Sequence, residues 1–104
     1  MPAPELILSF DFGTRRIGVA AGDTLTRTAR PLTVLEVRGA FPWAEIDRLV
    51  ADYTPTQLVV GLPYNMDGTE TGMTAPARGF GQALETRLEL PVHLVDERLS
   101  SRDA

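Results

Sequence analysis

The sequence predicts an α/β domain built on a mixed five-stranded sheet flanked by helices, in the order βββαβαβ. Three observations lead there. Short apolar runs bounded by proline or glycine recur along the chain, as strands do. Two other stretches repeat their apolar residues at helical spacing. The whole is 104 residues, 43% hydrophobic and 23% charged, which suits one globular core.

The first three runs are consecutive. Leu6-Ile7-Leu8-Ser9-Phe10-Asp11 reads as a buried strand, opened by Pro4 and closed by Gly13. Ile17-Gly18-Val19-Ala20-Ala21-Gly22 follows closely enough to form a hairpin that turns through Thr14-Arg15-Arg16. Gly18, inside a strand, marks the close approach of another backbone. Leu32-Thr33-Val34-Leu35-Glu36-Val37 lies between Pro31 and Gly39 as the third run. Three successive strands pair naturally as an antiparallel meander.

The period then changes. Trp43, Ile46, Leu49, Val50 and Tyr53 recur at helical spacing, with Pro42 suited to the first turn and Pro55 to the stop. Gln57-Leu58-Val59-Val60-Gly61-Leu62 is a continuous apolar run, expected as a strand buried on both faces. A polar loop follows from Pro63 to Gly72. Met73, Ala77, Phe80, Leu84 and Leu88 form a second helical stripe, weakened by Gly79 and Gly81. Pro91-Val92-His93-Leu94-Val95-Asp96 gives the fifth strand, and Ser100 or Ser101 is placed to cap a further helix. The later strands return through helices as parallel crossovers. Without repeats, low-complexity segments or a linker, residues 1–104 read as a single domain.

Composition narrows the chemistry. The chain has no cysteine, which excludes a disulfide frame and a thiolate zinc site and fits a reducing compartment. The apolar run from Leu6 to Phe12 is short, interrupted by Ser9 and Asp11, and lacks the basic leader of a signal peptide. No stretch reaches the roughly 20 apolar residues that span a bilayer. The expectation is a cytoplasmic protein without membrane attachment. A net charge of −4 argues against nucleic-acid binding, but the charge is uneven. Residues 1–40 hold five Arg and four acids; residues 41–104 hold five Arg and ten. Arg15, Arg16, Arg27 and Arg30 fall within sixteen residues, and arginine suits bidentate phosphate contact.

Two acidic positions stand out. Asp11 ends a strongly apolar strand, where a charged carboxylate is costly unless it is paired or coordinates a cation. The alternative is a turn aspartate capping backbone N–H groups, and the spacing Asp-x-Gly-Thr leaves both open. Asp96-Glu97 ends another apolar strand. If the two strands run parallel in one sheet, their carboxyl ends share an edge, where α/β sheets place ligands. Strand alternation lets only one of Asp96 and Glu97 face Asp11. Two carboxylates meeting there, without cysteine and with a single histidine, point to Mg²⁺ or Mn²⁺. The competing reading is a surface cluster in which Arg98 pairs locally. In the loop after the fourth run, Asn65 is suited to hydrogen-bond a phosphate or ribose, whereas Asp67-Gly68 reads as a turn. His93 sits mid-strand and reads as structural.

Taken together, several segments resemble one known family. They are Asp11-Phe12-Gly13-Thr14-Arg15-Arg16-Ile17-Gly18-Val19-Ala20, Thr28-Ala29-Arg30-Pro31-Leu32, Val60-Gly61-Leu62-Pro63, Asn65-Met66-Asp67-Gly68-Thr69-Glu70 and Asp96-Glu97-Arg98-Leu99-Ser100. In this order and at this spacing they resemble the YqgF family, also called RuvX, over nearly the whole chain. The resemblance implies a ribonuclease H-like fold related to Holliday-junction resolvases, and a nuclease role in maturing the 5′ end of 16S ribosomal RNA. It implies Asp11 and Glu97 as catalytic, metal-binding acids holding Mg²⁺ or Mn²⁺. Arg15, Arg16, Asn65 and Arg98 correspond to substrate-side positions, with Arg78 a weaker one. Family members continue past the Asp-Glu-Arg-Leu-Ser motif through a helical segment bringing a third catalytic aspartate. Asp103 lies too early for that role, so the expectation is a chain lacking that C-terminal segment.

The expected function is therefore a metal-dependent endonuclease acting on structured nucleic acid, with pre-16S rRNA as the leading substrate. A resolvase acting on branched DNA would use the same acids. A non-catalytic RNA-binding or ribosome-associated protein is the alternative of a different class. Kinase or chaperone ATPase chemistry also opens with an Asp-x-Gly-Thr loop, but needs two lobes where 104 residues supply at most one. A monomer or weak dimer is expected, and paired cutting of a symmetric junction would favour the dimer.

Overall fold

A computed structural model describes residues 5–23 and 29–98 of the chain. The expectations placed on Pro4, Arg27, Thr28, Leu99, Ser100, Ser101 and Asp103 lie outside the described residues. The elements follow the predicted order: β1 (Leu6–Phe12), β2 (Arg16–Asp23), β3 (Ala29–Glu36), α1 (Trp43–Tyr53), β4 (Gln57–Leu62), α2 (Thr74–Leu88) and β5 (Val92–Asp96). They build one five-stranded sheet in the order β3-β2-β1-β4-β5. β1, β2 and β3 form an antiparallel meander, while β4 runs parallel to β1 and β5 parallel to β4.

The hairpin between β1 and β2 is tighter than the sequence suggests. Arg16 already belongs to β2, opposite Glu36, and the Gly13 N–H donates to the Arg16 carbonyl at 2.9 Å. A methyl group on Gly13 would lie 2.8 Å from that oxygen, so the turn requires glycine. On the edge strand β3, Pro31 stands at the register shift opposite Ala20, where a missing donor is tolerated.

Both helices pack on one face of the sheet. Leu8 and Phe10 of β1, Ile17 and Val19 of β2, Leu58 and Val60 of β4, Ile46 of α1, and Phe80 and Leu84 of α2 form a single buried cluster. Phe80 is its centre, with ring centroids 5.7 Å from Phe10, 5.1 Å from Phe12, 5.1 Å from Phe41 and 6.5 Å from Trp43. Burying an aromatic ring removes about 150–250 Å² from water, so this knot dominates the apolar driving force. It also grips Phe12, whose ring sits 6.0 Å from Phe41. Alternation along β1 then turns Asp11 to the opposite face.

One expectation needs revision, and one gains a reason. α2 runs through Gly79 and Gly81, and a methyl group on Gly81 would lie 2.7 Å from Leu94 Cδ2. The glycine lets α2 settle against β5. β4 is not buried on both faces, since Leu58, Val60 and Leu62 are buried while Gln57, Val59 and Gly61 are half-buried. Its second face, Gln57, Val59 and Gly61, lies opposite the helices. Thr54, in the left-handed conformation at φ 44°, closes α1 just before Pro55.

Candidate active site

The parallel run of β1, β4 and β5 brings three strand C-termini to one edge of the sheet. Across it Asp11 stands in register with Gly61, and Gly61 with Val95. The chain leaves β5 at Asp96, and the Glu97 N–H donates to the Leu62 carbonyl at 2.9 Å, which extends the pairing by one residue. Val95 and Glu97 therefore share the face of Asp11. The Glu97 side chain runs back over Gly61 and shares a hydrogen bond with Asp11.

The electrostatics follow from that meeting. Burial pushes Glu97 up from an ordinary 4.5 to about 7, aided by its hydrogen bond to Asp11 and by repulsion from Asp11 and Asp96. The acids stand at the end of a groove of about 380 Å³ on the open face, floored by Ser9, Gly18, Val59 and Gly61.

Asp96 has a different setting. It accepts from Arg98 Nε at 3.1 Å, from Arg98 NH2 at 2.6 Å and from the Arg98 backbone N–H at 2.9 Å. These bonds hold its carboxyl below the usual range. Arg98 NH1 also donates to the carbonyls of Asn65 and Met66, each at 3.3 Å, and its guanidinium lies 5.5 Å from the centre of the Tyr64 ring. Arg98 thus pairs locally and fastens the loop that follows β4.

That loop is built from its own polar groups. Asp67 accepts from the Thr69 N–H at 3.0 Å and the Thr69 hydroxyl at 2.7 Å, as the turn reading requires. Asn65 Nδ2 donates to Thr69 Oγ1 at 2.9 Å and faces the carbonyl of Glu70 at 3.4 Å, so its amide nitrogen is engaged inside the loop. Arg78 reaches from α2 to Glu70 at 2.9 Å and to the Tyr64 hydroxyl at 3.4 Å. Buried Thr74 donates to the Pro63 carbonyl and accepts from the Thr71 N–H at 2.9 Å, tying the loop to the start of α2.

Of the predicted residues, Asp11 and Glu97 meet. Arg15 and Arg16 are exposed on the hairpin that follows Asp11, at the same edge. Arg30 pairs with Ala21 near the far end of the sheet, so proximity in sequence does not become one basic patch. His93 is exposed on β5, in register with Val59. Sequence reasoning missed Gly61, although a glycine inside an apolar strand was the available signal.

Asp11 and Glu97 fit a hard divalent cation. Mg²⁺ is commonly held by one or two carboxylates together with substrate phosphates and waters. Among the described residues, no group of three or more His, Cys, Asp or Glu converges.

The chain is also similar to known proteins. The model of the RuvX family, described as Holliday junction resolvase, matches residues 5–104. The chain belongs to the RuvX family. A Marinobacter nauticus protein named "Putative pre-16S rRNA nuclease" is 49% identical over 104 residues, covering 99% of this chain and 73% of that protein. An Azotobacter vinelandii protein of the same name is 47% identical over 105 residues, 74% of its length. RuvX is thus a family of nucleases, and the hydrolase reading of this chain rests on that membership. Thermus thermophilus RuvC shares the ribonuclease H-like resolvase fold at a TM-score of 0.60 and 15% identity, over 88% of this chain and 63% of RuvC. RuvC solved with a Holliday junction substrate matches at the same TM-score and identity. No helix among the described residues is long and apolar enough to cross a membrane.

Proposed function

We propose that this RuvX chain is a metal-dependent endonuclease for structured nucleic acid, acting in 5′-end maturation of pre-16S rRNA in the cytoplasm. The observation that carries the proposal is the meeting of Asp11 and Glu97 at the C-terminal edge of three parallel strands. In this reading the two carboxylates are the cation ligands, and residues 1–104 form a single ribonuclease H-like domain. A bound Mg²⁺ or Mn²⁺ supplies activation of water and stabilisation of the leaving oxygen of a phosphodiester. Asp11 and Glu97 are the residues that would hold it at the sheet edge. Arg15 and Arg16 steer the phosphate backbone to the edge that holds the acids, and Asn65 and Arg98, in and against the loop after β4, are further substrate-side residues.

RNA is preferred because the close relatives carry the rRNA nuclease name. The family description favours a second reading, cleavage of branched DNA. Incubating the protein with a pre-16S 5′-leader RNA or a four-way DNA junction, in Mg²⁺, Mn²⁺ or chelator, separates the two. RNA cleavage that needs the cation and disappears in Asp11→Asn is expected. Cleavage by Asp11→Asn at the wild-type rate would sink the metal-site reading. Cation-independent RNA binding without cleavage would favour a non-catalytic, ribosome-associated role.

A further inference from the structure

We infer that Gly61 is a positioning residue for the acid pair: its missing side chain is the gap through which Glu97 reaches Asp11. The inference rests on the reading of Asp11 and Glu97 as cation ligands. β4 separates the strands that carry these acids, and neighbouring strands lie about 4.8 Å apart, so β1 and β5 are about 9–10 Å from one another. The backbone at residue 97 is held on the far side of β4 by its bond to the Leu62 carbonyl. The carboxylate therefore has to cross β4, and the residue in register with Asp11 on that strand is Gly61. A methyl group at position 61 would lie 2.6 Å from Glu97 Oε2, 2.8 Å from its Cγ and 3.1 Å from its Cδ. All three atoms belong to the side chain of Glu97. The backbone would not have to move, but the carboxylate would.

The other glycine beside Asp11 shows that this is particular to position 61. A methyl group on Gly18, the β2 partner of Asp11, would meet Asp11 Cβ at 3.7 Å, an ordinary contact. Glycine also weakens a strand interior, so position 61 keeps a residue that the sheet itself disfavours. The same geometry explains the acid at position 97. A glutamate arm is long enough to cross one strand, whereas aspartate is one methylene shorter.

The test measures Mn²⁺ affinity by titration calorimetry, alongside thermal unfolding, for the wild type and for Asp11→Asn, Gly61→Ala, Gly18→Ala and Glu97→Asp. A crystal structure of metal-free Gly61→Ala accompanies it. Gly61→Ala is expected to bind Mn²⁺ at least about 10-fold more weakly, the range for residues that orient ligands, with no fall in Tm. Gly18→Ala should stay within twofold of wild type, and the crystal structure should show the Glu97 carboxylate turned away from Asp11. Wild-type affinity in Gly61→Ala, with affinity lost in Asp11→Asn, overturns the role of Gly61 and leaves the metal site standing. Unaltered affinity in Asp11→Asn removes the metal reading instead. The crystal structure then decides on Gly61, since a Glu97 still bonded to Asp11 in the Gly61→Ala variant overturns the inference. Should Gly61→Ala not fold, Glu97→Asp carries the test, and wild-type affinity there shows that no arm needs to cross β4.

Discussion

Asp96 and Glu97 are neighbours in the chain, at the end of β5, whose carboxylates meet different partners on the two faces of the sheet. Asp96 is clasped by Arg98, and its carboxyl is held below the usual range. Glu97 is turned toward Asp11, half-buried, and pushed up to about 7. The difference comes from strand alternation, which sends consecutive side chains to opposite faces. One acid has a cation already built into the protein; the other is set against a second acid. Two acids brought together with repulsion between them are the kind of perturbed group found at functional sites.

The largest effect that could break this contrast is on activity. Glu97→Gln preserves the shape of the protonated acid but cannot become an anionic ligand. Cleavage is expected to fall on the order of 100-fold or more, with Tm unchanged or raised. Asp96→Asn should do the reverse. It loosens Arg98 and the loop it fastens, lowering Tm by a few degrees while cleavage falls far less. Equal losses of cleavage in the two variants, measured at a temperature where both are folded, would dissolve the distinction.

A second effect is smaller and concerns pH. Because Glu97 holds its proton more tightly folded than unfolded, the folded state carries more protons between pH 4.5 and about 7. Stability of the metal-free protein should therefore fall as pH rises through that window. After discounting for solvent screening, the loss is on the order of 1 kcal/mol. Asp96 and Asp67, with carboxyls held low, act in the opposite sense at more acidic pH, below 3.8. Urea unfolding at pH 5 and pH 7.5 checks the sign: wild type minus Glu97→Gln should show the decline. A difference that grows in favour of wild type at pH 7.5 would contradict the pairing with Asp11.

Much of this was legible in the sequence. Strand alternation already allowed only one of Asp96 and Glu97 to face Asp11, and apolar periodicity gave all seven elements in order. Asp67 read correctly as a turn residue because an Asx turn is a local affair. The reading of β4 failed because an apolar run cannot tell one covered face from two. Gly18 and Gly61 looked alike in sequence, both glycines inside strands. The close approach falls at Gly61 because of where residue 97 stands, one crossover and one strand later. The role of Arg98 as a fastener was equally remote, since its partners Asn65 and Met66 lie more than thirty residues away.

The arginines repeat the contrast between the acids, and they give the smallest predicted effect. Arg98 is neutralised by Asp96 and Arg78 by Glu70, whereas Arg15 and Arg16 are exposed on the hairpin beside Asp11. An arginine that neutralises a phosphate releases a counterion, adding about 0.7–0.9 to the slope of log K against log salt. Arg15→Ala/Arg16→Ala should therefore lower that slope by about 1.4–1.8, read by fluorescence anisotropy of a labelled leader RNA between 50 and 200 mM KCl. Arg98→Gln should leave the slope near wild type, because an arginine already paired with Asp96 displaces few counterions from the RNA on binding. If the slope instead falls with Arg98→Gln and holds in the double variant, the phosphate path runs over the fastened loop and not over the hairpin.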